Sequence, residues 1–109
     1  MKDLKVFENP EFGKLTVTEK DNNPWLIGSE VARILGYSNP QKAIRDHVDD
    51  DDKLTERIVL AGQTREVIII NESGLYSLVL SSKLPTAKKF KRWVTGEVIP
   101  AIRKHGAYM

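Results

Sequence analysis

The chain has 109 residues, no cysteine, 40% hydrophobic and 29% charged residues, and a formal net charge of +2. That length fits a single domain with one core, residues 1–109, and the composition excludes a disordered chain, a disulfide scaffold and a cysteine-based zinc site. No apolar run approaches the roughly 20 residues needed to cross a bilayer, and the opening MKDLKVFENPEFG lacks the apolar centre of a signal peptide, so a cytoplasmic protein with no membrane partner is expected.

Taken in order, residues Leu4 to Gly28 read as extended chain. Leu15 and Val17 alternate with Thr16 and Thr18, Asp21-Asn22-Asn23-Pro24 is turn chemistry, and Trp25-Leu26-Ile27 returns as the second strand of a hairpin. Phe7 and Phe12 are placed beneath it, with Pro10 breaking the run. Ser29 is suited to cap a helix in which Val31, Ile34 and Leu35 form one stripe, closed by Gly36. Tyr37-Ser38-Asn39-Pro40-Gln41 resembles a capping box with Ser38 as the cap. The helix it opens, Pro40 to about Val48, turns Ala43, Ile44 and Val48 inward and Lys42, Arg45 and Asp46 outward.

The acids Asp49 to Asp52 read as a solvated loop. Strands at Leu54 to Leu60 and Arg65 to Ile70 form a second hairpin around Ala61-Gly62-Gln63-Thr64, with Val67 to Ile70 apolar enough to be covered on both sides. Asn71-Glu72-Ser73-Gly74 opens a helix with Leu75, Leu78 and Val79. Pro85 suits the first turn of a last long helix, in which Ala87, Phe90, Trp93, Val94, Val98 and Ala101 share one side. Pro100 implies a bend, made easy by Gly96 four residues back, and Gly106 is the expected stop. The fold class is therefore α+β: a small sheet built from two β-hairpins, packed against about four helices.

Two constellations bear on function. The helix–Gly36–turn–helix from Ser29 to Val48 has the layout of a helix-turn-helix, and Ser38, Asn39, Gln41, Lys42 and Arg45 are side-chain types that bond base edges and phosphates. Its turn is a residue or two longer than the compact motif, and an αα-corner with solvated polar positions is the alternative. Tyr37, in that turn, is an aromatic candidate contact. The second constellation is charge. From Lys83 onward there are seven Lys and Arg (Lys83, Lys88, Lys89, Lys91, Arg92, Arg103, Lys104) against the single acid Glu97. Long cations on a rigid helix suit phosphates, and each neutralised phosphate adds a counterion-release contribution. A solvated helix face accounts for Arg103 and Lys104 but poorly for Lys88 to Arg92, where positive charge opposes the helix dipole.

No spacing supplies a metal site, a phosphate-binding glycine loop or a catalytic triad, so no enzyme activity, metal or cofactor is expected. Trp25, Phe90 and Trp93 read as core.

The segments PWLIGSEVARILGYSNPQKAIRDHV and INESGLYSLVLSSKLPTAKKFKRWVTGEVIPAIRKHG resemble the Bro-N domain of phage antirepressors and of the BRO proteins of large DNA viruses, in order and from Val6 to Tyr108. The runs Leu35-Gly36-Tyr37-Ser38-Asn39-Pro40, Asn71-Glu72-Ser73-Gly74-Leu75-Tyr76 and Phe90-x-x-Trp93-Val94 carry the likeness together. The resemblance implies the N-terminal nucleic-acid-binding module of a longer antirepressor, acting in the lytic–lysogenic switch in a host bacterial cytoplasm. It also leaves open a module that binds and inactivates a phage repressor without contacting DNA. Under the first reading double-stranded DNA is the partner. Lys42 and Arg45 approach bases or phosphates, Lys83, Lys88, Lys89 and Arg92 hold the backbone, and a homodimer supplies the two-fold match to an operator.

Overall fold

The computed structural model describes residues 4–107, with side chains through Arg103. Five antiparallel strands form one sheet in the order β1-β2-β3-β5-β4. Strands β1 (Leu4–Asn9), β2 (Gly13–Lys20) and β3 (Asn23–Ile27) make a meander, and β4 (Lys53–Leu60) and β5 (Gln63–Ile70) a hairpin joined to it by the pairs Leu26↔Ile70 and Ile27↔Ile69. The first expected hairpin thus gains a third strand, because Val6, Phe7 and Glu8 pair with Thr16, Leu15 and Lys14. Both two-residue turns use positive φ, at Asp21 (54°) and Asn22 (65°) and at Ala61 (52°) and Gly62 (78°), the backbone that matches strand twist. The second turn is Ala61-Gly62 alone, tighter than the four-residue loop expected, because Gln63 and Thr64 already pair with Leu60 and Val59.

Leu15, Val17, Leu26 and Ile70 share one face by register and join the buried side chains of the helices in the main core. On the opposite face lie Thr16, Thr18, Trp25, Ile27 and Ile69, of which Ile27 is 4% and Ile69 0% exposed. Lys20 and Glu56 also sit on that face and form an ion pair, although β3 and β5 separate their strands. Only a strongly coiled sheet permits that contact, with the β4–β5 hairpin bending back over the second face. This coiling is why β2 reads as four consecutive buried residues, Leu15 to Thr18, instead of an in–out alternation.

The helices are α1 (Gly28–Ile34), α2 (Pro40–His47), α3 (Glu72–Ser81) and a long final helix made of α4 (Ala87–Trp93), a π-helical turn (Val94–Val98) and α5 (Ile99–Ala107). The chain passes from β3 straight into α1 at Gly28, so Ser29 is not its cap, and no side chain caps that helix. A Cβ on Gly28 would stand 2.8 Å from Ile44 Cδ1, so the bare backbone is what lets α2 approach. The helix expected to open at Asn71-Glu72-Ser73-Gly74 is α3, and Asn71 caps it, accepting from the Gly74 amide at 2.9 Å. The Asp run is less free than a solvated loop. Asp50–Asp52 form a 3₁₀ turn, and Asp52 takes Asn71's amide and side-chain nitrogen at 3.1 Å each.

Phe90 is fully buried, with Phe12 edge-on at 5.4 Å and Trp93 beside it at 6.1 Å. Pro85 precedes α4 instead of entering its first turn. The π turn changes which residues face the core beyond it. Ile99's amide reaches back to Val94's carbonyl, a five-residue step that makes room for Pro100, which has no amide to give. The phase advances, so Ile99 and Ile102 are buried (2% and 3% exposed) and Ala101, expected inward, is exposed. The helix continues through Gly106 to Ala107 instead of stopping there.

Candidate nucleic-acid interface

The turn between α1 and α2 is built on Gly36. Its φ of +86° is a left-handed conformation that side chains resist, and a Cβ there would stand 2.7 Å from the Leu84 side chain. Leu84 therefore seats on the turn, and the Ser82 hydroxyl donates to Leu35's carbonyl at 2.8 Å. A strap, residues 82–86, thus ties α3 and α4 to the start of α2. The α2 cap is Asn39, not Ser38: Asn39 Oδ1 accepts from the Lys42 amide at 3.1 Å, with Pro40 in the first turn. Ser38 stands exposed in the turn.

α2 is amphipathic as the spacing requires. Ala43, Ile44 and Val48 are buried, while Gln41, Lys42, Arg45, Asp46 and His47 are exposed. Lys42 Nζ lies 2.7 Å from Asp46 Oδ2, one turn on. Its hydrogen bond holds the Asp46 carboxyl below the usual range. Arg45 makes no ion pair or hydrogen bond among the described residues. Tyr37 is half-buried: its hydroxyl donates to Leu78's carbonyl at 2.8 Å and its ring lies 5.7 Å from that of His47. Burial pushes that hydroxyl's pKa up. Tyr37 thus spans α2 and α3, with its polar atom committed inside the fold.

The expected contacts fall into two groups. Tyr37, Ser38, Asn39, Gln41, Lys42 and Arg45 lie on the turn and α2, and Leu84's seat on Gly36 brings Lys83 beside them. Lys88, Lys89 and Arg92 are exposed on α4. There Lys89 reaches Glu11 at 3.8 Å, and neighbouring Lys91 lies over the Tyr76 ring at 5.5 Å. Lys104 lies outside the residues with described side chains.

Sequence reasoning passed over three residues here. Arg33 is exposed in the last turn of α1, legible as the off-stripe position between Ala32 and Ile34. His47 packs its ring against Tyr37 at a tilt of 39°. Lys53 donates to the carbonyls of Val48 (3.1 Å) and Ile44 (3.5 Å), closing the α2 C-terminus as a cation should. Lys53 follows the acidic run directly, and only the 3₁₀ turn of Asp50–Asp52 carries it back to the helix end.

The chemistry these groups offer is that of anion and hydrogen-bond recognition. Among the described residues no group of three or more His, Cys, Asp or Glu is placed to hold a metal ion, and no helix is long and apolar enough to cross a membrane.

The model of the BRO family N-terminal domain, Bro-N, matches residues 14–100. The chain belongs to the Bro-N family. It is 39% identical to an uncharacterized protein of Haemophilus influenzae, over 77% of this chain and 42% of that protein. A putative Bro-N domain-containing protein of Invertebrate iridescent virus 6 is 36% identical over 80% of this chain and 25% of its own length. An uncharacterized Bro-N domain-containing protein of Acanthamoeba polyphaga mimivirus is 36% identical over 94% and 47%. The chain thus spans less than half the length of each of these relatives. No solved structure gives a significant match. The Bro-N match begins at Lys14, within β2, and ends at Pro100, just past the π turn.

Proposed function

We propose that this Bro-N domain binds double-stranded DNA without performing chemistry, as the module that brings a phage antirepressor to its operator in the lytic–lysogenic switch. The observation that carries the reading is α2. Its inner side is locked by Ala43, Ile44 and Val48, and its outer side offers Gln41 and Arg45 uncommitted, with Lys42 next to them. A rigid helix presenting an amide and cations is what reads base edges in a major groove. Lys83, Lys88 and Arg92, all exposed, supply the phosphate contacts that set register.

A titration with duplex DNA across salt concentrations tests this. Affinity falls steeply with log[salt], and Lys88→Ala or Arg92→Ala each flatten the slope by about one unit. Arg45→Ala lowers discrimination between sequences. A dimer in the complex follows if two half-sites are bound, and light scattering with and without DNA measures it.

One feature favours a second reading, a surface that binds and inactivates a repressor protein. Leu80 is 85% and Leu84 40% exposed, beside the exposed Lys83, and apolar area next to a cation suits a protein partner. Absence of duplex binding at low salt together with tight binding to a purified repressor selects it over the first.

A further inference from the structure

β3 pairs with β5 only through Leu26 and Ile27. Beyond Ile69 the hairpin therefore runs on as a two-stranded arm, from the pair Thr55↔Ile68 to the pair Leu60↔Gln63. Its root is held. Glu56 grips Lys20 and Ile68's carbonyl lies against Gly28 at the start of α1, and further out on the Glu56 face Ile58, opposite Arg65, is 8% exposed. Its end is free: every residue from Ala61 to Glu66 is exposed, as are Arg57 and Val59.

By register Thr55, Arg57, Thr64, Glu66 and Ile68 share one face of the arm. Thr55, Glu66 and Ile68 of that face line a recess of about 230 Å³ together with Ser29, Gln41 and Ile44. The arm and the exposed start of α2 are thus two walls of one groove. The cations on the arm are weakly held. Among the described residues Arg57, 71% exposed, has Glu66 as its partner at 3.8 Å, and Arg65, on the other face of the arm, bonds the neutral Gln63 at 3.1 Å. An exposed pair at that distance is worth little, so a phosphate can replace it.

We propose that the β4–β5 arm is a second duplex-binding element, gripping the sugar–phosphate backbone beside the groove entered by α2, with Arg57 as its phosphate contact. This rests on the DNA-binding reading above. An eight-residue helix offers few contacts alone, and half or more of the hydrogen bonds in protein–DNA interfaces go to the backbone. A two-stranded ribbon with a narrow turn can lie against a groove wall where a bulkier loop cannot.

The test is a salt titration of the full chain with a short duplex of mixed sequence, beside the Arg57→Gln variant, an Arg65→Gln control on the opposite face, and a photo-crosslinking side chain introduced at Thr64. Both arginines are exposed, and circular dichroism verifies that the variants fold. The expected result is a log–log slope flatter by about one unit in Arg57→Gln, a smaller change in Arg65→Gln, and a crosslink from position 64 to DNA. An unchanged slope in Arg57→Gln with no crosslink, while the unaltered chain binds, overturns the arm and leaves the DNA-binding reading standing. Failure of the unaltered chain to bind duplex at low salt overturns that reading, and the arm with it.

Discussion

The Glu30 carboxylate takes both polar groups that Thr16 offers: the backbone amide at 2.6 Å and the hydroxyl at 3.0 Å. Thr16 lies just beyond the last paired residue of β2 on the β3 side, where β3 has already become α1. A side chain on the helix therefore stands in for a missing strand. Glu30→Ala leaves a part-buried amide without its partner and destabilises the fold by about 1–3 kcal/mol in chemical denaturation. Glu30→Gln keeps one acceptor oxygen and loses less.

Gly36 is the second such point. Gly36→Ala strains a left-handed backbone and collides with Leu84, at a cost of about 1–3 kcal/mol. The damage is local to the seat. Amide hydrogen exchange speeds up at Tyr37 and Ser38 before the core strands respond.

Ala61 occupies a left-handed position without being glycine, at φ 52°. Replacing it with a residue the turn favours, Ala61→Asn, stabilises the hairpin by about 0.5–1 kcal/mol, read as a rise in melting temperature.

The Tyr76 hydroxyl donates to Glu72 at 2.6 Å, and Glu72 also holds Arg103 at 2.6 Å. Burial, then the Glu72 hydrogen bond, raises the Tyr76 pKa from 10.0 to about 12. A raised pKa means the fold favours the neutral phenol. Its contribution to stability is complete below pH 10 and is lost as pH climbs through about 12. Ultraviolet titration sees this tyrosine ionise late, and Tyr76→Phe makes the stability profile flatter across that window.

Asp46 shows the opposite sign. Its depressed pKa gives a favourable contribution above the ordinary carboxylate range that disappears as pH falls through the depressed value. The pair is exposed, so salt screens it. Lys42→Ala returns the Asp46 titration, followed by carboxyl NMR, toward its ordinary value while leaving the melting temperature almost unchanged.

Local periodicity made much of this fold readable. The 3.6-residue repeat of a helix puts Ala43, Ile44 and Val48 inward, and the end of a stripe puts Gly36 at the close of its helix. Neighbouring alternatives were harder. Ser38 and Asn39 can both cap a helix, and the backbone settles it by starting the helix at Pro40, which puts Asn39 at the cap. Pro100 and Gly96 signalled a bend, but a bend and a π turn differ by one backbone step, and that step exchanges Ala101 for Ile102 in the core. For the candidate site, the residues on α2 were legible from their own helix. The grouping of Lys83 with them and the groove shared with the β4–β5 hairpin depend on contacts between distant segments, while the capping by Lys53 depends on how the short turn 49–52 folds back.

The strap from Ser82 to Thr86 fixes a distance. With Leu84 wedged on Gly36 and Ala87 already in the next helix, the cations of α4 cannot drift independently of those on α2. Under the proposed DNA-binding function, these two groups of cations on one mount act as a ruler. A partner whose negative charges fall at the matching interval satisfies both together, and one with a different interval must forgo one of them.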